Sequence, residues 1–277
     1  MKKSFIKGFI RLTFVVLKKA NYFLIDSFES MVGLRDELTP PRSLIFVGDG
    51  DFKKTGEEFL RHFVEIGGLK KNDCVLDVGC GIGRMAIPLT GYLSSEGSYE
   101  GFDIVAKGIN WCTKRITSKF PNFKFQLADV SNPRYHTKGK QKSSAYRFPY
   151  EDQSFDFVFL TSVFTHMLPN DVENYLFQIS RVLKPNGKCF VTFFLLNPES
   201  LSLIDKKRSR FDFKYSYGDC RIEHEDMPEN VVSYTEILVR NLYEKNQLMI
   251  IEPIHFGSWC GRENFVSFQD IIVVTKK

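Results

Sequence analysis

Three carboxylates and a run of glycines define the chemistry open to this chain of 277 residues. In "VLDVGCGIGR", Asp77 precedes Gly79, Cys80, Gly81 and Gly83. The spacing is G-x-G-x-G, with Arg84 where a dinucleotide fingerprint would place its last glycine. Asp103 follows in "YEGFDI", and Asp129 in "FQLADV". Glycines let backbone approach a ligand closely, and an acid at the tip of the next strand accepts hydrogen bonds from both ribose hydroxyls. A third acid at the same edge suits an amino group such as that of adenine. Acids so placed disfavour bound phosphate and favour a cationic ligand. The competing reading is that they only cap helices.

His166, in "LTSVFTHMLPND", lies just beyond the strand-like "FDFVFLTS". Histidine titrates near neutral pH, which suits a general base toward a hydroxyl acceptor. The alternative is a histidine that caps or packs beside the next helix. His224, in an irregular stretch farther on, invites the same two readings.

Convergence of these side chains requires that their strands end at one edge of a sheet. From residue 74 onward, apolar runs alternate with helical patterns. "CVLDV", "YEGFDI", "FKFQLADV", "FDFVFLTS" and "KCFVTFFLL" read as strands. "RMAIPLTGYL", "VAKGINWCTKRITSKF" and "NDVENYLFQISRVLK", the last capped by Asn170, read as helices. Such alternation predicts an α/β fold, doubly wound around a mostly parallel seven-stranded sheet. "QLMIIEPIHF" and "FVSFQDIIVVTK" are joined only by "GSWCGREN", too short for a crossover helix, so they are expected to form an antiparallel C-terminal hairpin. Before them "SYTEILVRNLYEKN" reads as a helix capped by Ser233 and Glu236.

Upstream, "SLIFVGDGDF" (43–52) reads as a second strand ending in a glycine turn. The helix "TGEEFLRHFVEI" follows, with capping-box spacing at Thr55 and Glu58. "TPPRS" is the best linker, which divides the chain into an N-terminal helical extension (1–42) and a main domain (43–277). Residues 198–232 have no clear period and are expected to form a lid-like insertion over the site.

Hydrophobic residues make up 43% of the chain, including 27 phenylalanines, enough for a sizeable core. The net charge of +5 does not demand nucleic acid as a partner, and no basic stripe interleaves with aromatics as in a nucleic-acid groove. The six cysteines form no C-x-x-C pair, which argues against a metal centre and for a reducing, cytoplasmic setting. Along residues 1–25, Phe5, Phe9, Leu12 and Val16 fall on one helical face, with Lys3, Lys7, Arg11 and Lys18 roughly opposite. Such a helix either lies on an anionic membrane, giving a peripheral inner-face location, or packs on its own domain.

The stretches from Cys74 to Phe194, taken in order, resemble a class I S-adenosylmethionine-dependent methyltransferase. "VLDVGCGIGR", "GFDI", "LADV", "FPYEDQSFDFVFLTSVFTHM" and "ISRVLKPNGKCFVTFF" carry the resemblance. It implies a Rossmann-like domain with S-adenosyl-L-methionine as cofactor. Gly79, Cys80, Gly81 and Gly83 would admit its methionyl and ribose parts, and Asp77 would sit near its amino group. Asp103 would hold the ribose hydroxyls, Ile104 would lie against the adenine, and Asp129 and Val130 would contact its edge. In the family the segment upstream of the first strand often folds over the methionine end, so "GDGDF" reads as a lid edge or as an ordinary turn.

No N-P-P-Y, D-P-P-Y or Pro-Cys motif is present, which argues against methylation of nucleic-acid bases. The expected substrate is a small-molecule, glycan or lipid-linked acceptor, methylated at oxygen. A non-catalytic cofactor-binding protein and an aminopropyl transferase are the alternatives on the same fold. "SNPRYHTKGKQKSSAYR", after Asp129, carries Arg134, His136, Lys138, Lys140, Lys142 and Arg147 and no acid. It would either meet an anionic group of the substrate or remain a solvated loop. The oligomeric state is not legible.

Overall fold

The computed structural model describes residues 21–33, 35–48, 50–133 and 135–276. The sequence expectations for residues 1–20 lie outside the described residues. Residues 21–31 are helical.

Five strands carry the parallel core: β1 (Cys74–Val78), β2 (Ser98–Asp103), β3 (Phe123–Leu127), β4 (Phe155–Leu160) and β5 (Leu183–Phe193). Near-continuous apolar runs are what strands covered on both faces require. Along β4 the burial splits by parity. Phe157 and Phe159 enter a core with α1 (Phe52–Glu65), while Val158 and Leu160 enter one with α4 (Pro169–Val182). Phe63 of α1 is fully buried, its ring centroid 4.3 Å from that of Phe159 and 5.0 Å from that of Phe190. Truncating such a ring to alanine costs about 3–5 kcal/mol.

The seven-stranded order is β10-β11-β5-β4-β1-β2-β3, with β10 (Leu248–Ile250) and β11 (Asp270–Lys276) at one side. β11 runs antiparallel to both β5 and β10, and the remaining pairs are parallel. This is the expected mostly parallel sheet with an antiparallel C-terminal pair. The chain leaves β1 toward β2 and β3, then returns beyond β1 to β4. The crevice between β1 and β4 is therefore the switch point where open α/β sheets bind ligands.

Several local expectations are corrected. Residues 43–48, 50 and 51 form no strand. Leu44–Val47 instead pack irregularly on the α1 side of the core. α1 starts at Phe52, one turn early, because Asp51 accepts from the backbone N–H groups of Lys53 and Lys54 at 3.0 and 2.9 Å. Thr55 and Glu58 therefore lie inside the helix. The "RMAIPLTGYL" stretch holds only the short α2 (Ala86–Leu89), since Pro88 offers no N–H to the helical ladder. α3 (Ala106–Cys112) widens into a π-turn at Thr113–Thr117. α4 begins at Pro169, whose fixed φ suits a first helical position, and Asn170 lies within it. The strands of the C-terminal pair are shorter than expected, and residues 251–269 connect them.

The stretch 198–232 is more ordered than its sequence implies. It contains α5 (Pro198–Asp205), with Asn197 and Ser200 forming a reciprocal capping box. β6 (Leu195–Leu196), β7 (Tyr215–Tyr217), β8 (Cys220–Ile222) and β9 (Val232–Thr235) form a second sheet of order β6-β9-β8-β7. Val232, Ser233 and Tyr234 are fully buried in β9. Hence α6 (Glu236–Lys245) starts later than expected, and Thr235, not Ser233, caps it by accepting from Leu238 N–H. No helix among the described residues is long and apolar enough to cross a membrane.

Candidate active site

A cavity of about 860 Å³ opens over the C-terminal ends of β1, β2 and β4. Asp77, Gly79, Cys80, Gly81, Asp103, Ile104, Val130 and His166 all line it. Eight of the ten residues singled out from sequence thus meet in one place.

The glycine loop is bent by positive φ angles of 86° at Gly79 and 59° at Gly81. A Cβ on Gly79 would stand 2.6 Å from Val163 Cγ2, and one on Gly81 would stand 2.7 Å from Val47 Cγ1. Gly79 and Cys80 donate their N–H groups to Phe102 O at 2.9 and 3.0 Å. Gly81 donates to Asp103 Oδ2 at 2.8 Å, while Asp103 Oδ1 accepts from Val105 N–H at 2.8 Å. Each Asp103 oxygen keeps a second lone-pair direction for a ligand hydroxyl. Burial raises the Asp103 pKa against those bonds. Burial likewise pushes the Cys80 thiol well up, so it stays protonated and serves as cavity wall.

Asp77 is 1% exposed. Its Oδ2 accepts from the Tyr99 hydroxyl at 2.6 Å, while Oδ1 has no hydrogen-bond partner among the described residues. Burial, reinforced by the nearby Asp103, pushes its pKa up to about 8. A buried carboxyl oxygen without a donor is costly unless a ligand donates to it. This wall fits a molecule bearing an ammonium, a ribose and no phosphate, as S-adenosylmethionine does.

Two expected residues lie elsewhere. Gly83, at φ 81°, faces Cys112 and Ile116 and lets the loop pack on α3. Asp129 is drawn outward by the basic loop that follows it. It meets His136 Nε2 at 3.1 Å and Lys140 N–H at 3.3 Å, and the bond from His136 holds its carboxyl below the usual range. The loop's basic side chains do not line the cavity among the described residues. Asn132, Tyr135 and Ser143 do, and Arg134 lies outside the described residues. His224 pairs with Glu223 at 3.5 Å and also stays out of the wall, to which Glu223 belongs. Of "GDGDF", Gly48 lines the cavity with Ile45, Phe46 and Val47, Asp51 caps α1, and Asp49 lies outside the described residues.

His166 ends a single 3-10 turn, Phe164–His166, pinned by the fully buried Phe164 and Thr165. Its Nδ1 lies 2.7 Å from Asn230 O and 3.3 Å from Glu229 O. Both partners are carbonyl acceptors, so Nδ1 carries the proton and donates. In the neutral ring Nε2 is then the basic nitrogen. The Tyr234 hydroxyl donates to Met167 O and ties the same turn to β9.

Several wall residues carried no sequence signal. Ser162, at φ 59°, stores strain just past β4. Its N–H donates to Thr192 Oγ1 at 2.8 Å and its hydroxyl donates to Gln269 Oε1 at 3.0 Å. Thr165 Oγ1 is buried without a partner among the described residues. Phe194, Phe211 and Phe268 form an aromatic flank, with the Arg210 guanidinium 5.4 Å from the Phe268 centroid.

Residues 76–191 match the methyltransferase domain family. The chain is 32% identical over 120 residues to a demethylmenaquinone methyltransferase of Lactobacillus johnsonii, covering 43% of each protein. It is 30% identical over 143 residues to a 27-O-demethylrifamycin SV methyltransferase of Amycolatopsis mediterranei, covering 51% of this chain and 46% of that one. The match thus spans less than half the length of these relatives. A solved SAM-dependent methyltransferase structure from Methanosarcina mazei superposes with a TM-score of 0.52 at 19% identity, over 77% of this chain and 96% of that one. At that identity the likeness speaks for the fold.

Proposed function

From the premise that residues 76–191 place this chain among the class I S-adenosylmethionine-dependent methyltransferases, we propose that it methylates an oxygen of a small-molecule acceptor, with His166 as general base. The observation that carries the reading is the hydrogen bond from His166 Nδ1 to Asn230 O, in the wall that also holds Asp77, Gly81 and Asp103. The relatives named for demethylmenaquinone and 27-O-demethylrifamycin SV support a small-molecule acceptor.

S-adenosylmethionine supplies an activated methyl group when bound. The chain's own residues do the rest. Asp77 Oδ1 would accept from its ammonium, Asp103 would accept from its ribose hydroxyls, and Gly79 and Gly81 keep side chains out of the way. Ile104 and Val130 would form the apolar wall for the adenine. His166 Nε2 takes the proton of the acceptor hydroxyl as it becomes a nucleophile, and the carbonyls of Asn230 and Glu229 stabilise the resulting imidazolium. Phe194, Phe211 and Phe268 exclude water from the acceptor side.

Calorimetry with the cofactor tests the first half. Binding is expected in the wild type and should weaken at least about tenfold in Asp103→Ala, which loses charge-assisted bonds. Incubation with methyl-labelled cofactor and a cell extract tests the second. Label in an O-methyl small molecule is expected. Cofactor binding with no labelled product, or an N-methyl product, would reject the O-methyl reading.

A further inference from the structure

The helix at residues 21–31 faces the wrong way for a soluble surface. Phe23, Leu24, Phe28 and Met31 fall on one side of it, and they are 71, 66, 59 and 78% exposed. The polar side turns inward. Asp26 Oδ1 lies 2.6 Å from Arg35 Nη1, and Asp26 Oδ2 accepts from Arg42 N–H at 2.9 Å. Glu29 takes both Arg42 nitrogens at 2.7 Å. Those bonds hold the Glu29 carboxyl below the usual range and raise the Arg42 guanidinium. An ordinary amphipathic helix buries its apolar stripe and solvates its acids. Here two arginines clamp the acids, and four large apolar side chains are presented outward.

We infer that this face docks on the surface of an anionic lipid bilayer. The choice of occupant rests on charge. The preceding residues include Lys2, Lys3, Lys7, Arg11, Lys18 and Lys19, and residues 1–25 contain no acid. An apolar face joined to a purely basic segment is what the boundary between acyl chains and anionic headgroups attracts. The two acids that would be repelled by such a surface, Asp26 and Glu29, are the ones turned away and neutralised. The clamp also has reach. Arg35 bonds to Thr39 O and Pro40 O, and the chain then runs within a few residues into Ile45–Gly48 of the cavity wall. Docking would therefore hold the Ile45–Gly48 segment of the cavity wall close to the lipid surface.

The inference does not depend on methyl transfer, because its readout is partition. The full-length chain is mixed with vesicles of phosphatidylcholine containing phosphatidylglycerol, and with vesicles of phosphatidylcholine alone, then floated on a density gradient. Binding is expected to the first and not to the second, and to weaken as salt is raised. The combined variant Phe23→Ser, Leu24→Ser, Phe28→Ser and Met31→Ser should lose at least about tenfold in vesicle affinity. All four sites are exposed, so its thermal midpoint and cofactor affinity should match the wild type. Failure of the wild type to float with anionic vesicles would overturn the inference, as would equal flotation of the variant. So would a lipid-free dimer that the four substitutions dissolve, which would assign the face to a second copy of the chain.

Discussion

Tyr99 donates its hydroxyl to Asp77 Oδ2 at 2.6 Å, while the equally buried Oδ1 of Asp77 has no donor among the described residues. Half of the carboxyl is thus held by the fold and half is left for a ligand. β1 and β2 are paired in parallel register, Val75 opposite Tyr99 and Asp77 opposite Gly101. Tyr99 therefore leans along the sheet to reach an acid two residues on, and the phenol orients the carboxyl without neutralising it.

This arrangement predicts proton-linked cofactor binding. With its pKa pushed up to about 8 by burial, Asp77 is largely protonated at pH 7 before ligand binds. A cationic ligand favours the charged form, so binding at pH 7 should release up to about one proton. Affinity should rise with pH toward 8 and level off above it. Calorimetry in buffers of different ionisation enthalpy measures the release, which Asp77→Asn should abolish, along with about 1–3 kcal/mol of binding. The sign for stability is opposite. The folded state keeps a proton that the unfolded chain loses near 3.8, so Asp77 lowers stability as pH rises from about 4 to about 8. Proton release equal in wild type and variant would reject this role.

The tautomer of His166 yields a second prediction. His166→Asn places an amide N–H where Nδ1 stood, so the bond to Asn230 O can persist while the basic Nε2 is removed. kcat/KM should fall about 10²–10⁴-fold. The acidic limb of the pH–rate profile should vanish, and cofactor affinity should hold. An unchanged pH profile, or an equal loss of cofactor affinity, would remove His166 from the base role.

Gly108 offers a third test, because its usual logic is reversed. Glycine inside a helix normally costs about 0.5–1 kcal/mol relative to alanine. Here a Cβ on Gly108 would lie 2.2 Å from Gly81 O, so α3 seats directly on the glycine loop. Gly108→Ala should therefore destabilise by about 1–3 kcal/mol, as overpacking does. It should also weaken cofactor binding by displacing the loop. Thermal unfolding and calorimetry check both, and a stabilised variant would show that the contact relaxes freely.

What the sequence shows depends on range. The parallel strands and the acids at the ends of the first three are legible because a strand buried on both faces needs an apolar run, as in "FVFL" of β4. The small sheet in 195–235 is not legible. Its strands are two to four residues long and exist only through distant pairing, such as Cys220 opposite Tyr234. Asp129 has the right type and place, yet its fate turns on His136, which the chain folds back beside it. Gly108 shows nothing in sequence, since its partner is a carbonyl in another element. The glycine loop is local and readable, but the flank that would meet the acceptor is assembled from Phe194, Phe211 and Phe268, three separate segments.

That flank supplies the last prediction. Asp270, fully buried at the start of β11, accepts from Leu195 N–H at 2.6 Å, Gly257 N–H at 2.6 Å and Trp259 Nε1 at 2.7 Å. Arg262, 7% exposed, stands 3.4 Å from it and also bonds to Glu199 and to Gly257 O. The cluster joins residues 257–262 to the segment around Phe194 and Asn197. Burial raises the Asp270 pKa to about 6 despite those donors. Folding therefore retains a proton that the unfolded chain has lost, and this group's contribution to stability falls as pH rises from about 4 to about 6. Arg262→Met removes the only cation that the cluster offers Asp270, so the acid's pKa should climb and the pH-dependent loss should extend above 6. Removing one partner of a buried pair costs about 3–5 kcal/mol, which for a chain of this size lowers the thermal midpoint by more than about 5 °C. Because Phe194 and Phe268 flank the cluster in sequence, the variant should lose turnover through KM for the acceptor while cofactor affinity holds. Thermal unfolding across pH and steady-state kinetics read these effects. An unchanged midpoint with an unshifted pH dependence would show that Arg262 leaves Asp270 no better off than solvent does.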